Sequence, residues 1–98
     1  MPKREKGPQL ERMRLKPKWT IDGNGQVIKI GDTVTHHIKF RKGKDRLITS
    51  VKGWKIDYIF AYSIVGEDRV YLTRVEISHL GYAKKIVGSD TVVLERPS

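Results

Sequence analysis

Residues 39–46 combine positive charge with an aromatic ring in a way that suits phosphate and base binding. Five of these eight residues are basic, only Asp45 opposes them, and Phe40 lies inside the run. Arginine forks bind phosphates through paired hydrogen bonds, lysines bind them as point charges, and exposed rings stack on unpaired bases. We therefore predict a nucleic-acid site that includes Lys39, Phe40, Arg41, Lys42, Lys44, Arg46 and the following aromatic Trp54. The alternative is that the two rings belong to the core and the charges keep a loop in solvent.

The N-terminal stretch is the second concentration of positive charge. Residues 1–18 hold seven Lys and Arg against two Glu, a net +5 out of the chain's formal +9. Three prolines and few apolar residues predict that residues 1–17 are a disordered or loosely attached arm, with a short helical turn over residues 9–16 as the alternative. Such a field concentrates polyanions, nucleic acid first. The predicted site therefore also includes Arg12, Arg14, Lys16 and Lys18.

The three histidines do not have the spacing of a metal site. His36 and His37 are adjacent, so in a strand they point to opposite faces, and His79 is distant in sequence. The chain has no cysteine to supply thiolate ligands. Residues 22–26 look like the centre of a calcium-binding EF-hand loop, but the closing glutamate and the flanking helices are missing. We expect no metal and no other cofactor, and we interpret residues 22–25 as a hairpin turn.

Candidate catalytic groups are present without a catalytic arrangement. Asp57 and Glu76 could be neighbours on adjacent strands, and Ser63 or Ser78 could approach His79. Each of them is also an ordinary surface polar residue between apolar ones. No pair has the spacing of a known catalytic set. We expect that the chain is not an enzyme.

The elements that position these residues are predicted to be short strands. Between Lys55 and Val65, every second residue from Ile56 to Ile64 is aromatic or β-branched, which predicts the longest strand with that face in the core. A basic loop over residues 41–45 and a turn at Lys52-Gly53 are expected before it. The other predicted strands cover residues 19–21, 26–30, 33–40, 47–51, 70–77, 82–87 and 91–94, with a turn at 88–90. The sequence thus predicts an all-β domain over residues 18–98, a small barrel or closed antiparallel meander.

Part of this pattern resembles a known family. Ile30-Gly-Asp-Thr-Val34, then Gly43-Lys-Asp45, then Ile48-Thr-Ser-Val51 are similar to the start of SH3-like small barrels of the KOW type, found in ribosomal and transcription proteins. The resemblance covers about residues 30–66. It implies a five-stranded barrel that often binds RNA or a protein partner through its loops.

The charge and composition of the chain indicate which kind of partner it binds. We expect a non-enzymatic nucleic-acid-binding protein, RNA or DNA, that contacts phosphates with weak sequence selectivity. The competing hypothesis is a protein-interaction module, an adaptor or inhibitor, that docks on an acidic partner through a strand edge or through Trp19, Trp54 and Tyr82. A cytoplasmic location is expected from the lack of cysteine, and neither a signal peptide nor a membrane span is expected.

Overall fold

The protein is built from antiparallel strands. The computed structural model describes residues 8–42 and 45–95, with side chains for all of these except residues 38–48. The described residues contain no α-helix. The elements are β1 (Leu10–Arg12), β2 (Trp19–Ile21), β3 (Val27–Lys29), β4 (Thr33–Lys42), β5 (Asp45–Ile64), β6 (Leu72–His79), β7 (Tyr82–Gly88), a 3₁₀ turn (Ser89–Thr91) and β8 (Val92–Leu94).

The described residues contain no helix with the length and hydropathy of a membrane span.

The main sheet has the strand order β7-β6-β5-β4-β8, and β1 pairs with the far end of β5. The all-β, antiparallel prediction is confirmed. The sheet is not closed into a barrel among the described residues, because its edge strands β7 and β8 do not pair with each other. Only the 3₁₀ turn separates these two edges along the chain. Four peptide steps span roughly 14 Å at most, so the sheet must curl until its edges approach at this end.

The core lies inside the curled sheet and is covered by the β2–β3 hairpin. Thr20 and Ile28 are the buried central residues of the two hairpin strands. Thr20 Oγ1 lies 2.6 Å from Thr73 Oγ1 on β6, which fixes the hairpin over the sheet. The fully buried cluster comprises Ile28, Val34, Trp54, Ile56, Ile59, Val75, Ile77 and Val92.

The long strand β5 presents a different face to the core from the one predicted. Ile56 pairs with Ile77, but Tyr58 pairs with Glu76, so Asp57 is an extra residue that forms a β-bulge. Because side chains alternate with a period of two, one extra residue exchanges the faces. Ile56 is buried before the bulge, Ile59 is buried after it, and Tyr58 is 53% exposed. The predicted aromatic core face is therefore wrong beyond Ile56.

A predicted turn and part of a predicted loop lie within strands. The predicted turn at Lys52-Gly53 lies within β5, opposite Thr35, where the pairing shifts between Val34 and His36. Gly53 has φ +87°, which allows the bulge without the strain that a side chain would bring. The predicted loop over residues 41–45 is also wrong at both ends, since β4 continues to Lys42 and β5 begins at Asp45. Residues 43 and 44 lie outside the described residues.

The predicted arm is partly a strand. Residues 1–7 lie outside the described residues, but β1 pairs antiparallel with β5, with Leu10 opposite Ile64 and Arg12 opposite Tyr62. Val65 N donates to Gln9 O at 3.0 Å and Met13 N donates to Ala61 O at 2.9 Å. The prediction of a disordered arm is wrong for residues 9–13, because the end of β5 supplies backbone partners that sequence periodicity cannot reveal.

Deleting residues 1–13 should destabilise the domain. The deletion removes the β1 ladder and uncovers the rings of Phe60 and Tyr62, so we expect the free energy of unfolding to fall by about 2–3 kcal/mol. Urea denaturation followed by circular dichroism would measure it. Deletion of residues 1–7 removes none of these described contacts and is the matched control. Equal stability of the two truncated proteins would show that β1 contributes nothing.

Candidate nucleic-acid interface

The outer face of the sheet, the one turned away from the core, carries a row of aromatic rings on β5. Tyr58, Phe60 and Tyr62 follow one another on alternate positions after the Asp57 bulge. The rings of Tyr58 and Phe60 are close to parallel, at 27°, with their centroids 6.3 Å apart. Tyr58 is half exposed, Phe60 is partly exposed and Tyr62 is buried. The row therefore opens to solvent toward Tyr58.

Two arginines from neighbouring strands cover the buried end of this row. Arg12 on β1 places its guanidinium carbon 4.2 Å from the centre of the Phe60 ring and 5.8 Å from that of Tyr62. Arg74 on β6 lies 4.6 Å from the centre of the Tyr62 ring. Arg12 Nη2 also donates to the Tyr62 hydroxyl at 3.2 Å. We call these five residues, Arg12, Tyr58, Phe60, Tyr62 and Arg74, the aromatic–arginine face.

The predicted basic residues of 39–46 lie at the end of the β4–β5 hairpin. In its ladder, Lys39 is opposite Ile48, Phe40 is opposite Leu47, and Arg41 is opposite Arg46. Lys42 is opposite Asp45, and Lys44 is outside the described residues. The backbone thus brings two arginines into directly opposed positions. Along β5, Arg46 is twelve residues from Tyr58, a separation of roughly 40 Å in an extended strand.

The other predicted site residues divide between surface and core. Arg14, Lys16 and Lys18 are exposed in the connection between β1 and β2, and Arg12 belongs to the aromatic–arginine face. Trp54, in contrast, is 0% exposed. Its prediction as a base-stacking residue is wrong, because its position in β5 before the Asp57 bulge points it into the core.

Of the aromatic–arginine face, the sequence predicts only Arg12 as a site residue. The alternation of Tyr58, Phe60 and Tyr62 predicts a core face, since exposed and buried rings show the same spacing. Arg74 is one charged residue in a strand of apolar and polar residues. Its proximity to Tyr62 depends on the register between β5 and β6. The bulge at Asp57 decides which face of β5 is buried, and the sequence pattern does not reveal a single extra residue in a strand.

The ring of Trp54 lies among side chains that include two histidines. His79 and Tyr82 have ring centroids 5.1 Å and 5.7 Å from it, and Lys85 Nζ is 4.9 Å from its centre. His36 approaches edge-on at 6.0 Å and is 6% exposed. Among the described residues, His36 Nδ1 has no hydrogen-bond partner. Burial, and then the nearby charges of Lys85 and His37, lower the pKa of His36 below its usual 6.5.

Acid should therefore weaken the fold through His36. In the unfolded chain this histidine takes up a proton near pH 6.5, while the folded protein takes it up only at lower pH. The free energy of unfolding should thus fall as the pH drops below about 6.5, by at most about 1.4 kcal/mol per pH unit. Urea denaturation from pH 7.5 to 5 would measure this slope. A His36→Phe variant should show a shallower slope, and an unchanged slope would contradict the assignment.

Three of the candidate catalytic groups are buried or take part in other contacts. Ser63 is buried, and Asp57 Oδ2 is 4.0 Å from Lys84 Nζ. His79 Nε2 lies 2.9 Å from Lys52 O, and its Nδ1 accepts from Gly81 N at 2.8 Å, so both ring nitrogens bind backbone. Among the described residues, no three His, Asp or Glu side chains are grouped for a metal ion.

A serine–histidine contact does occur between β4 and β5. His37 Nδ1 lies 2.7 Å from Ser50 Oγ, and the two residues are direct partners in the ladder. In the described part of the chain, no hydrogen bond to the other ring nitrogen orients the histidine. The pair is a cross-strand polar contact of the kind that stabilises sheets.

Comparison with protein-family models, with curated proteins and with solved structures finds no match to this chain.

Proposed function

We propose that this chain is a small, non-enzymatic nucleic-acid-binding protein that holds phosphates with arginine and lysine side chains. One observation carries the proposal: the guanidinium groups of Arg12 and Arg74 are stacked on the rings of the aromatic–arginine face. Within the described residues, neither arginine forms a salt bridge with a carboxylate. Two positive charges are thus held in place on the sheet surface, next to a half-exposed ring.

Stacking prepares these arginines for phosphate. A guanidinium that lies over a ring uses its π-face there, while its N–H donors lie along its edge. Because the ring restricts the side chain, less conformational entropy is lost when a phosphate binds. The exposed charges of Arg14, Lys16 and Lys18 follow Arg12 along the chain and extend the positive field beyond β1.

The hairpin end over residues 39–46 supports the same function. Arg41 and Arg46 are directly opposed in the ladder, and like charges in such positions destabilise a sheet. A phosphate bound at this end of the hairpin would offset that repulsion. The curled sheet, whose edges approach at the 3₁₀ turn, is also consistent with the proposed relationship to SH3-like barrels of the KOW type.

Oligonucleotide binding across a salt series tests the proposal. Fluorescence anisotropy with labelled single-stranded and duplex oligonucleotides should show log affinity falling steeply with log salt. Arg12→Gln and Arg74→Gln should each weaken binding and reduce the slope by about 0.7–0.9. Lys29→Gln, which removes an exposed charge on the β2–β3 hairpin, is the matched control. Absence of binding at low salt would contradict the proposal.

A second candidate function, docking on an acidic protein, is favoured by the outward side of the β2–β3 hairpin. Trp19, Ile21 and Val27 are 57%, 40% and 57% exposed there, and Lys29 is opposite Trp19 in the ladder. Exposed apolar clusters of this kind often mark protein contacts. A peptide alternating apolar and acidic residues should then shift the fluorescence of Trp19, and a Trp19→Ala variant should lose the response. No shift at millimolar peptide would exclude this candidate.

A further inference from the structure

A basic cleft lies beside the open end of the aromatic–arginine face. It has a volume of about 460 Å³ and lies next to Tyr58, between β5, β6 and β7. Lys55, Lys84, Ser78 and Asp57 contribute two ammonium groups, one hydroxyl and one carboxylate to its lining. Its volume is within the range of small-molecule sites. Two cationic donors and a hydroxyl are suited to a phosphate.

The charges around the cleft indicate where a phosphate would bind. Lys84 Nζ is 4.0 Å from Asp57 Oδ2, at the outer limit of an ion pair, and 59% of the Lys84 side chain remains exposed. Lys55 is exposed and pairs in the ladder with Ser78. The other nearby carboxylate, Glu76, is the ladder partner of Tyr58. A phosphate is therefore attracted to the two lysines and repelled by Asp57, the carboxylate that lines the cleft beside Lys84.

The ring of Tyr58 supplies a surface for a base at the edge of the same cleft. It is 53% exposed, and Phe60 is the only ring stacked near it among the described residues. Phe60, Arg12 and Tyr62 continue the row behind it, so the Tyr58 ring is supported on one side and open on the other. Stacking on such a ring requires a base that is not already stacked and paired inside a duplex.

We infer that this cleft binds one unpaired nucleotide of a single strand, with its base on Tyr58 and its phosphate at Lys55 and Lys84. The inference rests on the proposed function and narrows it, because the ligand becomes a single strand. A duplex can satisfy the arginines and the lysines, but it cannot offer a base to Tyr58 without being opened.

The experiment compares two single strands of equal charge with a duplex, which carries about twice their charge. Anisotropy at one salt concentration would use a labelled twelve-nucleotide single strand, the same strand with its bases removed at the central positions, and a duplex of the same length. The intact strand should bind about tenfold tighter than the abasic strand.

Tyr58→Ala should remove this difference and Tyr58→Phe should keep it, because the ring stacks and the hydroxyl does not. Lys55→Gln and Lys84→Gln should weaken both strands by similar factors. Tyr71→Ala, at an equally exposed tyrosine on the loop before β6, is the matched control.

The outcomes separate the inference from the function on which it rests. Equal affinity for intact and abasic strands, unchanged by Tyr58→Ala, would overturn the single-nucleotide site while leaving phosphate binding in place. A duplex whose affinity fell on Tyr58→Ala as much as that of the intact strand would overturn it as well, because a closed duplex offers no base to the ring. Failure of every probe to bind at low salt would remove the proposed function and this site together. Thermal melts of the variants would show that they are folded.

Discussion

Replacing Trp54 by alanine should remove much of the stability of the domain. The indole is 0% exposed and packs against His36, His79, Tyr82 and Lys85, so its truncation leaves a large cavity that the strands cannot close. We expect a loss of about 3–5 kcal/mol in the free energy of unfolding. Domains of this size have only about 5–15 kcal/mol in total. Urea denaturation would measure the loss, and a variant that does not fold would agree with the same expectation.

The matched control for Trp54 is the other tryptophan. Trp19 is 57% exposed on the outward side of the β2–β3 hairpin, so Trp19→Ala should change stability by about 0.5 kcal/mol or less. If Trp54→Ala were as mild as Trp19→Ala, the indole would have to lie outside the core. The prediction that Trp54 stacks on a base would then stand.

Asp22→Ala should be the second large loss of stability. The carboxylate is 5% exposed and accepts three backbone N–H bonds, from Asn24, Gln26 and Leu94, each at 2.8 Å. Two of these bonds form the β2–β3 turn and the third attaches it to β8. Since hydrogen bonds to a charged acceptor are strong and their donors would be left unpaired, we expect a loss of about 3 kcal/mol. Thermal denaturation with calorimetry would measure it.

The amide variant separates the charge of Asp22 from its shape. Asp22→Asn keeps one oxygen acceptor and places an NH₂ group against a backbone donor, so it should lose less than Asp22→Ala but still be destabilised. Asn24, exposed in the same turn, gives a control position through Asn24→Ala. A neutral Asp22→Ala would mean that the turn and β8 hold together without the carboxylate.

The features that sequence predicts correctly are the local ones. The Asp22–Gly25 turn, its hairpin and the strands after it follow from turn residues and from alternation within a few positions. The missing ligands argue against an EF-hand at Asp22, and the structure shows its carboxylate bonded to backbone N–H groups. Residues that are close in the sequence determine these elements.

The features that sequence could not predict depend on pairing between distant strands. The bulge at Asp57 exchanges the faces of β5, and only the register against β6 reveals it. The strand at Leu10–Arg12 has no alternating apolar pattern, and it forms because the end of β5 would otherwise be an unpaired edge. Both features decide the candidate site, since one exposes Tyr58 and the other brings Arg12 to Phe60. The sequence predicts Arg12 as a site residue but not Arg74, and it assigns the rings beside Arg12 to the core.

The most direct test of the proposed function is to map where a nucleic acid contacts the protein. ¹⁵N-labelled protein titrated with a single-stranded oligonucleotide should show amide shifts at Arg12, Tyr58 and Arg74, and along the hairpin end over residues 39–46. The amides of Trp19–Ile21 and Val27–Lys29 on the opposite side should not shift. Shifts confined to that β2–β3 hairpin, or none at low salt, would contradict nucleic-acid binding by the aromatic–arginine face.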